Sequence, residues 1–280
     1  MQEQTDLFSF SLPKFHIGDR KIKLIEMFGG VGSQALGLKR IGANFEHHRL
    51  IEFDKYCIRS YNAIHGTNFT ETDIRDVKAT DLDIRNDGCI YLTCYSFPCT
   101  DLSLAGKGLG LSKEEWQQGN STRSGLLWEV ERILDEQKEL SANDDSYTMP
   151  QILLCENVPQ LIGKKHIKEF NKWTSKLEQL GYSNYVKVMN ACDYGIPQHR
   201  QRLFMVSILG QYSYEFPCKK ELEHCLNDFL EVADEKYNLS NKMIDFFVSN
   251  SKEQELKGNG FRFNPIDPLR EREKGTRFDN

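Results

Sequence analysis

The sequence predicts an α/β fold, on three observations. Short apolar runs rich in β-branched and aromatic residues recur along the chain and read as buried strands, at residues 21–28, 49–54, 89–94, 151–155, 185–189 and 203–208. Stripes of apolar residues at helical spacing alternate with these runs. Several of the strands run straight into a glycine or proline turn bearing a polar or nucleophilic group, and in open α/β sheets ligands bind at strand ends.

Residues 1–20 read as a polar lead-in. The first strand carries Ile22, Leu24, Ile25, Met27 and Phe28 and enters Gly29, Gly30, Val31 and Gly32. Ser33 suits a helix N-cap, Ala35, Leu36, Leu38 and Ile41 give one helical face, and Gly42 suits the helix end. Gly30, Gly32 and Ala35 fit a fingerprint in which missing side chains let the backbone approach a nucleotide, although a tight turn without a ligand fits the same residues. The second strand carries Glu52 near its end, placed to accept from the hydroxyls of a ribose. Asp73, after the short segment 69–72, reads either as the end of a third strand, able to accept from an adenine amino group, or as a solvated loop aspartate. Asp54, Asp76, Asp81 and Asp83 read as solvated.

After the strand at 89–94, Pro98 has no N–H to donate and stops the ladder, so Cys99 falls on a loop at a strand end. Its thiol reads as a nucleophile or as a small buried hydrophobe. Gly106, Gly108 and Gly110 punctuate a stretch, 104–119, suited to a mobile loop. Leu126, Leu127, Val130, Ile133 and Leu134 recur at helical spacing, and residues 141–150 form a polar break. Glu156, Asn157 and Val158 close the next strand ahead of Pro159. Ile167, Phe170, Trp173, Leu177 and Leu180, closed by Gly181, give an amphipathic helix. If the chain before the last strand is extended, its period of two puts Gln198, Arg200 and Arg202 on one face. Residues 221–232 and 240–248 read as two further amphipathic helices before a charged tail.

Composition bounds what this architecture serves. With 36 Lys and Arg against 41 Asp and Glu, the net charge of −5 excludes a chain that is basic throughout. Local cationic groups remain at Lys164, Lys165 and His166, at Arg200 and Arg202, and at Arg270, Arg272, Lys274 and Arg277. The eight cysteines, at 57, 89, 94, 99, 155, 192, 218 and 225, include no Cys-x-x-Cys pair and no matching histidine spacing, so they read as free cytosolic thiols without disulfides or zinc. No apolar run is long enough to span a bilayer, and residues 1–20 lack the pattern of a signal peptide.

The set of motifs, taken in order, resembles the DNA cytosine-5 methyltransferases of bacterial type. Residues 28–32, Glu52, Asp73, the Pro98-Cys99 pair, the run 156–158 and Gln198-x-Arg200-x-Arg202 carry the resemblance over residues 22–208, and the flanking runs 122–129 and 190–197 extend it. It implies the Rossmann-like fold of the S-adenosylmethionine-dependent methyltransferases, a mixed, mostly parallel sheet with helices on both faces. The expected division is a lead-in over 1–20, a cofactor-binding and catalytic domain over 21–215, and a small, incomplete C-terminal region over 216–280. The resemblance further implies Cys99, Glu156, Arg200 and Arg202 as catalytic residues. For S-adenosyl-L-methionine it implies Phe28, Gly29, Gly30, Gly32, Glu52, Asp73, Pro98 and Leu126. No metal is implied, and no membrane. The implied substrate is double-stranded DNA, its target base turned out of the stack, in the cytoplasm of a bacterial or phage-type setting and associated with the nucleoid.

In that chemistry the Cys99 thiolate adds to cytosine C6, Glu156 stabilises N3 as a general acid, Arg202 contacts O2 and Arg200 orients the site. A thiol of ordinary pKa, about 8.5, is only a few per cent ionised at neutral pH, so such a site must favour the thiolate. Two departures stand out. Thr100 occupies the position where the family usually has glutamine. Only 78 residues follow Arg202, and no helix bearing the family's last motif is legible there; residues 258–260 read as a turn. The expectation is therefore the cofactor-binding and catalytic part of such an enzyme, its C-terminal motifs carried by a second polypeptide or by a portion absent from this sequence. The alternatives are an inactive homologue that binds cofactor or DNA, and a transfer-RNA cytosine-5 methyltransferase. A nicotinamide-dependent dehydrogenase would explain the first glycine turn alone.

Overall fold

The structure is a computed structural model that describes residues 12–99, 102, 111–119, 122–229, 231 and 235–256. The chain divides into two compact units, Met1–His224 and Cys225–Asn280. In chain order the first contains β1 (Ile22–Met27), α1 (Ser33–Arg40), β2 (Phe45–Ile51), α2 (Lys55–His65), the one-turn α3 (Ala79–Leu82), β3 (Ile90–Tyr95), α4 (Lys113–Gln117), α5 (Leu127–Asn143), β4 (Ile152–Asn157), α6 (Ile167–Gln179), β5 (Tyr182–Asn190) and β6 (Gln201–Leu209). In the second unit, α7 (Asn241–Leu256) is the longest element among the described residues.

The six strands form one sheet in the order β2-β1-β3-β4-β6-β5. β2, β1, β3 and β4 are mutually parallel, and β6 runs antiparallel to both β4 and β5. The expected mixed, mostly parallel sheet is therefore present. Side-chain alternation assigns its two faces. On one face Ile25, Met27, Tyr91, Tyr95, Leu153 and Cys155 join Ile133 and Leu134 of α5 and Trp173 and Leu177 of α6 in the main core. On the other, Leu24 and Cys94 pack with Ala35 and Leu38 of α1. β1 and β3 are buried on both faces, which is why they read as near-continuous apolar runs.

The register brings the strand ends together. Met27 pairs with Ile51 and Tyr95, and Tyr95 with Cys155, so the parallel strands stop at a common edge. β6 begins at that edge, with Leu203 opposite Asn157 and Phe204 opposite Glu156. Side chains that leave the end of β4 thus meet those that open β6, at the edge where β1, β2 and β3 also end.

Several sequence expectations are corrected. Residues 69–73 form no third strand: after one bond from Thr72 N–H to the Glu52 carbonyl, at 2.8 Å, the chain turns into a 3-10 helix, Ile74–Asp76, capped by Asp73. The N-cap of α1 is Gly32 rather than Ser33, because that position takes a left-handed φ of 82°. Ile41, expected on the buried face of α1, is exposed beyond its end. α5 continues through Asn143, so the polar break starts at Asp144, and Met149 and Pro150 within it are buried. Residues 221–225 are not helical. The Asp228 carboxylate accepts from Cys225 N–H at 2.8 Å, a local bond that closes a 3-10 turn, Leu226–Phe229, in place of an α-helix. α7 runs to Leu256, eight residues past its expected end at 248. His166, grouped with two exposed lysines in the sequence, is buried at the head of α6. Residues 12–15 lie beside 212–215, tied by Ser213 N–H to the Pro13 carbonyl at 2.9 Å.

Candidate active site

The turn after β1 is shaped from below. Gly32 closes on α2: a β-carbon there would come within 2.3 Å of His65 Nε2 and 2.7 Å of Tyr61 Cε2. His65 Nε2 also meets the Val31 carbonyl at 3.1 Å. Tyr61 donates its hydroxyl to Glu26 Oε2 at 2.5 Å, and Ala35 N–H faces Glu26 Oε1 at 3.4 Å. His47 Nδ1 lies 2.7 Å from the same hydroxyl oxygen. Glu26 was not singled out from the sequence, although a carboxylate set between Ile25 and Met27 in an apolar strand is itself a signal. Its burial pushes its carboxyl above the ordinary value, against the opposing bonds from Tyr61 and Ala35.

That direction gives a pH prediction. A carboxyl whose folded pKa is raised stabilises the fold in its protonated form, and the contribution is lost as pH rises through the raised value. Glu26→Gln mimics the protonated acid. The melting temperature of the variant relative to the parent is expected to rise as pH climbs from 4.5, the ordinary value for the acid, towards 8. A difference that stays flat across that range, measured by thermal unfolding, would exclude a titrating Glu26.

Above the turn lies a cavity of about 630 Å³. Of the eight residues expected to hold cofactor, Phe28, Glu52, Asp73, Pro98 and Leu126 line it, whereas Gly29, Gly30 and Gly32 lie outside the lining. Gly30 reaches it indirectly, by donating its N–H to Glu52 Oε2 at 2.9 Å. Glu52 Oε1 accepts from Phe53 and Asp54 N–H, both at 2.8 Å. With three backbone donors on about four acceptor positions, one direction on Oε2 stays open. Asp73 is more committed. Arg75 Nε lies 2.9 Å from Oδ1 and its terminal nitrogen 2.5 Å from Oδ2, and this pairing holds the carboxyl below the ordinary range. Asp54, read as solvated, is the N-cap of α2 and also lines the cavity. Phe53, Arg75, Trp116 and Arg123 line it as well and were not foreseen as ligands.

The loop after β3 is fixed through its backbone. Ser96 Oγ lies 3.3 Å from Gln34 Nε2, the Phe97 carbonyl accepts from buried Asn157 Nδ2 at 3.0 Å, and the Pro98 carbonyl accepts from Ser124 Oγ at 2.8 Å. The Cys99 carbonyl accepts from Leu102 N–H at 3.0 Å, and the half-buried Cys99 packs against the main core. Thr100 and residues 103–110 lie outside the described residues. The second half of that stretch carries regular structure: Leu111 is buried and 113–117 form α4.

A second cavity, about 280 Å³, is walled by Glu156, Arg200 and Arg202 together with Asn190, Tyr194 and Phe204. Arg202 Nε pairs with Glu156 Oε1 at 3.0 Å, both side chains about one-quarter exposed. Arg200 is positioned through its backbone, its N–H donating to Asn190 Oδ1 at 2.9 Å. Gln198 does not join this wall. A tight turn, Gln198 N–H to the Ile196 carbonyl at 2.7 Å, breaks the extended chain that would have put it on one face with Arg200 and Arg202. Cys99 is not in the lining; it reaches the same end of the sheet two residues beyond Phe97, whose carbonyl is bound by the residue after Glu156.

Among the described residues no group of three His, Cys, Asp or Glu side chains could hold a metal ion. No described helix is long and apolar enough to cross a membrane.

Comparison with known proteins points one way. The family model for C-5 cytosine-specific DNA methylase matches residues 22–277. The type II methyltransferase M2.ScrFI of Lactococcus lactis subsp. cremoris is 33% identical, over 80% of this chain and 71% of its own length. The orphan methyltransferase M.SssI of Spiroplasma monobiae is 41% identical, over 64% of this chain and 45% of its own. Among solved structures, the S. pombe Dnmt2 methyltransferase superposes with a TM-score of 0.60 at 17% identity, over 82% of this chain and 66% of that one, a likeness of fold. The chain thus spans between about half and about seven-tenths of the length of these relatives. With the ordered strand-end residues and a model matched from the first strand onwards, the chain belongs to the C-5 cytosine-specific DNA methylase family.

Proposed function

We propose that the chain transfers a methyl group from S-adenosylmethionine to C5 of cytosine in duplex DNA, with residues 21–215 as the cofactor-binding and catalytic domain, and that it works in the cytoplasm. The observation that carries this reading is the Glu156–Arg202 pair at 3.0 Å in a cavity at the strand ends, with the Cys99 loop tied to Asn157 beside it.

The residues of the larger cavity suit the methyl donor. Its volume is in the range of small-ligand sites, the open direction on Glu52 suits a ribose hydroxyl, and the exposed ring of Phe53 offers a face to a purine. S-adenosylmethionine supplies an electrophilic methyl carbon when bound. Everything else is done by the chain. The Cys99 sulfur adds to C6 of a base turned out of the duplex, which makes C5 nucleophilic as electron density moves towards N3. Glu156 provides the proton or hydrogen bond at N3, and Arg202, held against it, faces O2. After methyl transfer C5 gives up its proton, the C6–S bond breaks, and the thiolate is restored.

The test is incubation with tritiated S-adenosylmethionine and mixed-sequence duplex DNA, with and without the C-terminal portion of a longer relative. Label in DNA is expected, and its absence under both conditions would refute the reading. Preferential labelling of transfer RNA would replace the substrate.

A further inference from the structure

The residues that follow position 110 are anchored more firmly than a surface turn requires. The Leu111 carbonyl accepts from Trp128 Nε1 at 3.2 Å, and Ser112 caps α4 by accepting from Glu115 N–H at 3.2 Å. Lys113 reaches the buried Glu131 of α5, Nζ to Oε1 at 2.5 Å, while its own N–H donates to Glu169 of α6 at 3.1 Å. Lys172 of α6 closes on Glu114 at 2.7 Å and on Glu169 at 2.9 Å. A helix of five residues is too short to persist on its own, so these bonds and not helix propensity hold it.

What they hold in place is Trp116. Its indole lies over Gly125, where a β-carbon would come within 2.4 Å of Cε3. The ring also lines the larger cavity, as do Phe53, Thr122 and Leu126. The other two tryptophans are in the core, Trp128 at 4% exposure and Trp173 at 0%. Trp116 is the one left half-buried, with part of its surface on the cavity. Packing against Gly125 explains where the ring sits. It does not explain a chain of ion pairs that delivers an indole to a cavity wall.

We propose that Trp116 is a cofactor-contacting residue, its indole forming an apolar wall for the nucleoside half of S-adenosylmethionine, with Lys113, Glu114 and Lys172 as positioning residues that fix it there. The inference rests on the larger cavity being the methyl-donor site. Because the contact is to the nucleoside and not to the sulfur, the indole contributes equally to the methylated donor and to S-adenosylhomocysteine.

Calorimetric titration of the full chain with S-adenosylhomocysteine comes first; if the parent protein does not bind it, the donor reading fails rather than the role of Trp116. Given binding, Trp116→Ala is expected to weaken both S-adenosylmethionine and S-adenosylhomocysteine by the same factor, roughly tenfold. Trp116→Phe, which keeps an aromatic ring and the fold, is expected to bind within about threefold of the parent. It is also expected to lose the ligand-dependent change in tryptophan emission, since Trp128 and Trp173 are remote from solvent. Unaltered affinity in Trp116→Ala would overturn the proposal, as would an emission change that survives in Trp116→Phe. A loss confined to S-adenosylmethionine would overturn the nucleoside assignment by placing the contact at the sulfonium.

Discussion

Cys99→Ala is expected to lower methyl transfer by at least about ten-thousandfold, the scale on which enzymes lose rate when a covalent nucleophile is removed. The loss should be one of chemistry alone. The loop is held through the carbonyls of Phe97 and Pro98, by Asn157 and Ser124, and none of these bonds uses the thiol. Pro98, not Cys99, faces the larger cavity, so affinity for S-adenosylhomocysteine should be unchanged. A duplex carrying 5-fluorocytosine gives an independent readout. Once S-adenosylmethionine has methylated it, its C5 carries no proton to lose, so with the donor present the parent protein should remain covalently attached through C6, and the alanine variant should not. Turnover retained in Cys99→Ala, or a covalent complex formed without the thiol, would remove Cys99 from its assigned role.

Glu156→Gln is expected to cost about a hundredfold to ten-thousandfold in kcat with little change in DNA affinity, the range over which a general acid contributes. The substitution preserves length, and its amide oxygen still accepts from Arg202, so the 3.0 Å contact that shapes the smaller cavity persists in altered form. What disappears is the proton proposed for N3. The amide can still donate a hydrogen bond there, which is why the loss should be smaller than that of the thiol. Single-turnover rates separate the two effects. A rate within about threefold of the parent would mean that Glu156 only buttresses Arg202.

How much of this is legible in the sequence follows from the range of the interactions involved. Glu52, Pro98 and Glu156 are positioned by events within a few residues of themselves, an apolar run ended by a punctuating turn, and each stands at a strand end as the sequence indicated. Glu26 was invisible because its meaning depends on Tyr61, 35 residues away on another element. Trp116 was absorbed into a glycine-punctuated stretch because its anchor, the Lys172–Glu114 pair, joins residues 58 apart. Asp73 shows a different failure. Its partner Arg75 is only two residues on, but neither of the two readings, a strand end or a solvated loop, included the 3-10 turn that the aspartate caps. Gln198 was placed by assuming an extended chain, and a single backbone bond across Pro197 removed it from the face of Arg202. The crossing of β6 between β4 and β5 is legible only from the register.

That crossing bears on biosynthesis. The strand that ties the edge strand β5 to the rest of the sheet, β6, is the last of the six described strands to leave the ribosome. Until it emerges, β4 displays an unsatisfied row of backbone donors and acceptors, and β5 has no ladder to join at all. A nascent chain stalled before residue 201 therefore carries a sticky, half-built platform, and chains released there should be captured by chaperones or aggregate, whereas those that pass residue 209 can close in one step.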